Sequence, residues 1–96
     1  MNDAVTVLIE IHAKDGRERE ARDALVHAIQ TSAKPGFLSA RIFAHATDPG
    51  AFYSVQEWES ASAFHLHMAE AAPGMAEATD MLREPPTTAV LQPIGS

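Results

Sequence analysis

The residues best suited to chemistry lie in one segment, Glu57-Trp58-Glu59-Ser60-Ala61-Ser62-Ala63-Phe64-His65-Leu66-His67-Met68. Trp58 is the only tryptophan of the 96 residues, and His67 follows it by nine positions. A large flat ring beside an imidazole, which ordinarily titrates near pH ~6.5, could bind an aromatic molecule and remove a proton from it. The same two residues could equally be core: a histidine bonded to a backbone carbonyl, and an indole anchoring a small domain. Trp58 reads as the last residue of a strand, where pockets often open, so it could stack on a planar molecule or donate its N–H.

Other chemistries are poorly supplied. His65 is two residues from His67, so on a helix the two rings point in nearly opposite directions and make a poor metal pair. No His-x-x-x-His or His-Glu-x-x-His spacing occurs, and there is no cysteine. That absence removes disulfides, thiolate nucleophiles, iron–sulfur clusters and thiolate zinc sites together. Glu10 and His12 share a strand face and could ligate a metal, but polar contacts at an interface are the commoner use of such a pair. No metal site is expected. No Ser-His-Asp arrangement, phosphate-binding glycine loop or dinucleotide fingerprint is present.

The elements that must position Trp58 and His67 can be read from periodicity. Val5 to Ala13 is β-branched and alternating, with Val5, Val7, Ile9 and Ile11 on one face and Thr6, Leu8, Glu10 and His12 on the other. Lys14-Asp15-Gly16 forms the turn. From Arg17 to Ala33 the pattern is helical, with Ala21, Ala24, Leu25, Ala28 and Ile29 as the apolar stripe, and Pro35-Gly36 stops it. A second strand runs from Phe37 to about His45, a turn follows at Thr47-Asp48-Pro49-Gly50, and a third strand runs from Ala51 to Glu57 or Trp58. Tyr53 alternates with Ser54 and therefore faces away from Trp58, a weak alternative proton donor. Ser60 is a credible N-cap for a second helix carrying Ala63, Phe64, His67, Met68 and Ala71 on one side. Pro73-Gly74 is expected to interrupt that helix, with a further helical piece from Met75 to Arg83. Thr87 to Leu91 is the last strand, ending at Pro93.

The order β-α-β-β-α-β is the ferredoxin-like split arrangement, an α+β fold whose antiparallel sheet carries helices on one face. The uncovered face must meet water or another protein. Leu8 sits among Thr6, Glu10 and His12, and the second strand offers Leu38, Ala40, Ile42 and Ala44 against Phe37, Arg41 and Phe43. A sheet apolar on both sides predicts face-to-face pairing in a homodimer.

Length predicts one domain over residues 1–96. A domain this small buries only about two-thirds of its unfolded surface, which makes help from a second subunit reasonable. With 46% apolar residues and no long polar run, a globular fold is expected. No apolar stretch reaches the roughly 20 residues of a bilayer span. The N-terminus is acidic and runs straight into a strand, unlike a signal peptide, so a cytoplasmic location is expected. The net charge is −6. The one basic cluster, Lys14, Arg17, Arg19 and Arg22, is interleaved with Asp15, Glu18, Glu20 and Asp23. That is a solvated helix face, and neither nucleic acid nor an anionic membrane is an expected partner.

Several local features combine with this order of elements. Val7-Leu8-Ile9-Glu10-Ile11 opens the chain, Gly16 precedes the first helix, and Pro35-Gly36-Phe37 leads into the second strand. Glu57-Trp58-Glu59-Ser60 is followed by Ala63 and His67, and Leu91-Gln92-Pro93 closes the chain. Together they resemble the antibiotic-biosynthesis monooxygenase family of dimeric α+β barrels, over nearly the whole length. The chain departs from that pattern in two places. Relatives often place an asparagine in the pocket, whereas the only asparagine here is Asn2, ahead of the first strand. The Pro73-Gly74 segment is longer than in some quinol-oxidising relatives.

The resemblance implies a cofactor-independent monooxygenase acting on a phenolic, quinol or anthrone-like substrate with O2, without metal, flavin or haem. It also implies a pocket between sheet and helices. Such chemistry needs a substrate that reduces oxygen once deprotonated, a base matched to neutral pH, a dry pocket and donors for the developing oxyanion. On this reading His67 is the base and Trp58 stacks or donates. Phe37, Arg41, Phe43, Phe64, Met68 and Met75 shape the pocket. Each of the apolar ones is also a core candidate, and an outward salt bridge is the ordinary role of an arginine such as Arg41. Two other classes remain open: an isomerase or cyclase in which His67 shuttles a proton without consuming oxygen, and a non-catalytic ligand-binding or stress-response dimer. A cavity below about 150 Å³ around His67 would favour the last.

Overall fold

The computed structural model describes residues 4–30 and 35–94, and at 72–77 the backbone alone. The elements are β1 (Val5–His12), α1 (Glu18–Gln30), β2 (Phe37–Ala44), β3 (Ala51–Trp58), α2 (Ala61–Ala78), a 3₁₀ turn (Thr79–Met81) and β4 (Thr87–Leu91). The strands form one antiparallel sheet in the order β2-β3-β1-β4, with the two helices packed on it in the ferredoxin-like arrangement. Among the described residues no helix is long and apolar enough to cross a membrane.

Strand register decides which side chains meet the helices. β1 pairs with β3 so that Val5, Val7, Ile9 and Ile11 stand opposite Trp58, Gln56, Ser54 and Phe52. Alternation then puts all eight on the helix-covered face. Two apolar clusters hold that face. Val5, Val7, Trp58 and Phe64 form one, with Phe37 and Met68 against it; Ile11, Ala13, Ala21, Phe52 and Leu82 form the other, with Leu25 and Met81 against it. Ile9 touches both. Among the described residues Trp58 and Phe64 are the largest fully buried side chains, and truncating an aromatic of this kind to alanine costs about 3–5 kcal/mol.

Two expectations change. Regular alternation from Phe43 back to Phe37 would put Phe37 on the face of Arg41. Instead Phe37 pairs with Trp58 and Ser39 with Glu57. Leu38 is thus an extra residue, a β-bulge that turns Phe37 inward and leaves Leu38 exposed. The second change is that α2 does not stop at Pro73-Gly74 but continues to Ala78 and ends in the 3₁₀ turn. An interior proline removes one donor and crowds the preceding turn, at roughly 3 kcal/mol. Packing on either side offsets it. Phe64 is buried against the sheet before the proline, and after it Leu82 is buried and bridges Ala13 of the β1 edge.

The start of α2 follows the expected cap: the Ala63 N–H donates to Ser60 Oγ at 3.1 Å. Gly36 fixes how closely α2 approaches β2. Its φ is +85°, and a Cβ there would lie 2.5 Å from the Cβ of Ala63. The Glu59 N–H donates to the Gly36 carbonyl at 2.8 Å, closing the corner beside Trp58.

Candidate active site

Between the sheet and the helices lies a cavity of about 170 Å³, partly open to solvent. Its floor is Ile9 and Ile11 of β1 with Gln56 of β3. Ala21, Ala24, Leu25 and Ala28 of α1 form one wall, and His67, Met68 and Ala71 of α2 another. Thr79, Met81, Leu82 and Pro86 close one end. The void exists because both helices turn alanines toward it, where longer apolar side chains would meet in the middle. Gln56, His67 and Thr79 are the polar residues of an otherwise apolar lining.

A buried polar chain runs along the inner face of β3. The indole N–H of Trp58 donates to Gln56 Oε1 at 2.8 Å, and Gln56 Nε2 donates to Ser54 Oγ at 3.0 Å. Spacing by two places the three side chains on one face in line. All three are buried: Ser54 is 0%, Gln56 6% and Trp58 1% exposed. An indole can only donate, so it fixes which end of the amide is oxygen.

Trp58 is also clamped by rings. Phe37 lies 5.4 Å away at 74° and Phe64 5.6 Å away at 68°, both edge-to-face, and the His67 ring sits 5.3 Å away, tilted by 34°. The structure thus brings Trp58 and His67 together, and of the two rings the imidazole lines the cavity. Trp58 does not itself line the cavity, and its N–H is engaged by Gln56.

The remaining expected site residues separate into groups. Met68 lines the cavity beside His67. Phe37 and Phe64 pack behind the indole. Arg41 and Phe43 are not brought to the cavity: they pair with Val55 and Tyr53 and occupy the opposite face of the sheet, the Arg41 guanidinium 5.0 Å from the Phe43 ring centre. The side chain of Met75 lies outside the described residues. His65 is exposed, as its spacing from His67 predicts. Tyr53 is on the face away from Trp58, where desolvation, then the charges of Glu10 and Asp48, push its phenol above the usual value. At neutral pH it is therefore a donor and not a base.

That outer face carries its own polar pairs. The Thr6 hydroxyl lies 3.0 and 3.1 Å from the two oxygens of Glu57. Arg83 can only donate, and its Nη2 is 3.3 Å from His12 Nδ1, so the His12 proton sits on Nε2 and is given to Glu10 at 2.6 Å. Among the described residues no group of three or more His, Cys, Asp or Glu side chains could hold a metal ion.

Gln56 is the site residue that sequence reasoning passed over. Counting back by two from Trp58 was the available signal, since it places Ser54 and Gln56 on the same face as the indole.

The fold and the cavity define a small α+β protein with a ligand-sized chamber under its helices. A family model described as antibiotic biosynthesis monooxygenase matches residues 4–78, and the chain belongs to that family. No functionally curated protein matches the sequence significantly. Solved structures match closely in shape. SnoaB, a cofactor-independent oxygenase from Streptomyces nogalater, superposes with a TM-score of 0.82 at 13% identity, covering 98% of this chain and 96% of its own. The monooxygenase ActVA-Orf6 of Streptomyces coelicolor, solved with Nanaomycin D, gives 0.74 at 21% identity, over 99% and 91%. A further antibiotic biosynthesis monooxygenase gives 0.81 at 18% identity, over 95% and 99%. At these identities the likeness is one of fold.

Proposed function

We propose that the protein is a cofactor-independent monooxygenase of a small phenolic or quinol-type substrate, working as a homodimer, with His67 as general base. The observation that carries this reading is the placement of His67 in the wall of an apolar cavity of about 170 Å³. That volume exceeds the ~150 Å³ at which an apolar cavity takes up benzene. One aromatic ring fits whole, and a polycyclic substrate would extend through the open side.

The chemistry needs no external reductant. His67 takes the hydroxyl proton, and the resulting phenolate passes an electron to dioxygen. Recombination at a ring carbon bearing hydrogen forms the new C–O bond. Loss of water then leaves one oxygen atom as a carbonyl, so a phenol and O2 become a quinone and H2O. The apolar lining keeps bulk water from the anion and strengthens every charge interaction within the cavity. The description of SnoaB as a cofactor-independent oxygenase supports carrying this reaction class to the present chain.

The homodimer reading rests on the helix-free face. Phe43 and Leu91, 40% and 46% exposed, lie there with Leu8 and Val55, beside polar pairs suited to an interface. Sedimentation equilibrium at a mass of 10.3 kDa, that of one chain, would remove it.

The test of the reaction is oxygen uptake over a panel of hydroquinones, naphthols and anthrones. A positioned general base contributes about 10²–10⁴ in rate, so His67→Ala should lower uptake at least about ten-fold. Unchanged turnover would sink the assignment, and turnover of substrate without oxygen consumption would favour an isomerase.

A further inference from the structure

The polar chain on β3 leaves one donor unspent. Trp58 holds Gln56 Oε1, which turns Nε2 toward Ser54 and gives that hydroxyl one of its two hydrogens. No second acceptor for Nε2 exists among the described residues, and Gln56, 94% buried on the complement of its 6% exposure, borders the cavity. A buried amide N–H on a residue that lines an apolar chamber is a costly group to leave without an acceptor, and a ligand oxygen is the natural one.

The two cavity layers also differ in kind. The sheet side offers the Gln56 amide N–H as a donor, its orientation set by the indole that holds the oxygen end. The helix side offers His67, whose imidazole has two nitrogens in different roles. A ring that carries a hydroxyl can accept from the Gln56 amide, and a ring without oxygen cannot.

We propose that Gln56 is the specificity-determining residue of the cavity, its amide N–H donating to the oxygen of a single-ring phenol. Trp58 acts on that ligand only through Gln56, as the positioning residue that fixes the amide. This deepens the oxygenase reading by naming the substrate class, yet it makes a claim about binding that stands apart from turnover.

The experiment measures binding by calorimetry under argon, with 4-ethylphenol and ethylbenzene as probes of nearly equal shape. The native protein is expected to bind 4-ethylphenol at least about five-fold more tightly, the increment of one net hydrogen bond. Gln56→Leu and Gln56→Met should each lose that preference while binding ethylbenzene within about three-fold of the native protein. Two variants are used because Leu is branched and Met is not, so a folding defect in one leaves the other to decide. No preference in the native protein overturns the proposal, as does a preference that survives in either folded variant. A preference abolished by His67→Ala but kept in Gln56→Leu assigns it to the imidazole and overturns the proposal equally. A Gln56-dependent preference without oxygen uptake on any substrate leaves the binding assignment intact and refutes the oxygenase reading alone.

Discussion

If Trp58 works by fixing Gln56, the two side chains must be strongly coupled, and a double-mutant cycle measures this directly. Trp58→Phe keeps a ring among Phe37, Phe64 and His67 but takes the N–H from a buried Oε1 that it meets at 2.8 Å. An orphaned buried acceptor costs about 1–3 kcal/mol, and the smaller ring adds a packing loss of similar order. Gln56→Leu orphans the indole N–H instead, again at about 1–3 kcal/mol. The double variant orphans neither atom of the pair and retains only the packing term. Its loss should therefore fall short of the sum of the single losses by both orphaning penalties together, about 2–6 kcal/mol. Urea denaturation reads this well: at a slope near 1 kcal/mol per molar, expected for a small chain, a coupling of ~2 kcal/mol moves the midpoint by about 2 M. Additivity to within about 0.5 kcal/mol, the figure for independent sites, would refute the claim that the indole holds the amide.

Two further outcomes follow from the same geometry. Gly16 and Gly36 both have φ of +85°, but a Cβ meets nothing within 4 Å at Gly16 and meets Ala63 at 2.5 Å at Gly36. Alanine at Gly16 should cost about 1–2 kcal/mol of backbone strain, and alanine at Gly36 about 1–3 kcal/mol more from overpacking, so equal urea midpoints would contradict the close approach of α2 to β2. Ala24→Leu projects a larger side chain into the cavity from α1. It should leave thermal stability equal or higher while weakening 4-ethylphenol binding at least about ten-fold, and intact binding would mean that the ligand does not enter between α1 and the sheet.

Much of this arrangement was legible from periodicity. The alternation of β1 and β3, the alanine-rich stripe of α1 and the Ser60 cap all came through, because each rests on local spacing that tertiary contacts reinforce. What escaped had a physical reason in each instance. The bulge at Leu38 changes the parity of one strand end without any turn residue to announce it, so Phe37 was grouped with Arg41 and Phe43. Both sheet faces carry apolar residues, so composition does not say which one the helices cover, and whether Arg41 and Phe43 face the cavity is decided only by the strand register. The run of α2 through Pro73-Gly74 reflects packing at both ends overriding a local breaker. The alanines of α1 were recognised as inward-facing, yet only the spacing of helix from sheet reveals that they enclose a void rather than a filled core.

That void is itself an argument about purpose. At about 24 cal/mol per Å³, a cavity of about 170 Å³ costs up to roughly 4 kcal/mol, less where water enters its open side. A small domain has only about 5–15 kcal/mol of stability in total. Alanines on both helices sustain the cost, where a single leucine at Ala24 or Ala71 would reduce it. Meanwhile the polar groups next to the void are not scattered. The Ser54–Gln56–Trp58 chain is buried and oriented from its indole end, which is an expensive arrangement unless each member has a defined role. A tryptophan needed only as a core anchor could leave its N–H to any backbone carbonyl, and a glutamine needed only for solubility would not be buried beneath two helices. Both features become economical together if the indole aims the amide and the amide meets a ligand oxygen in the cavity, opposite the imidazole of His67.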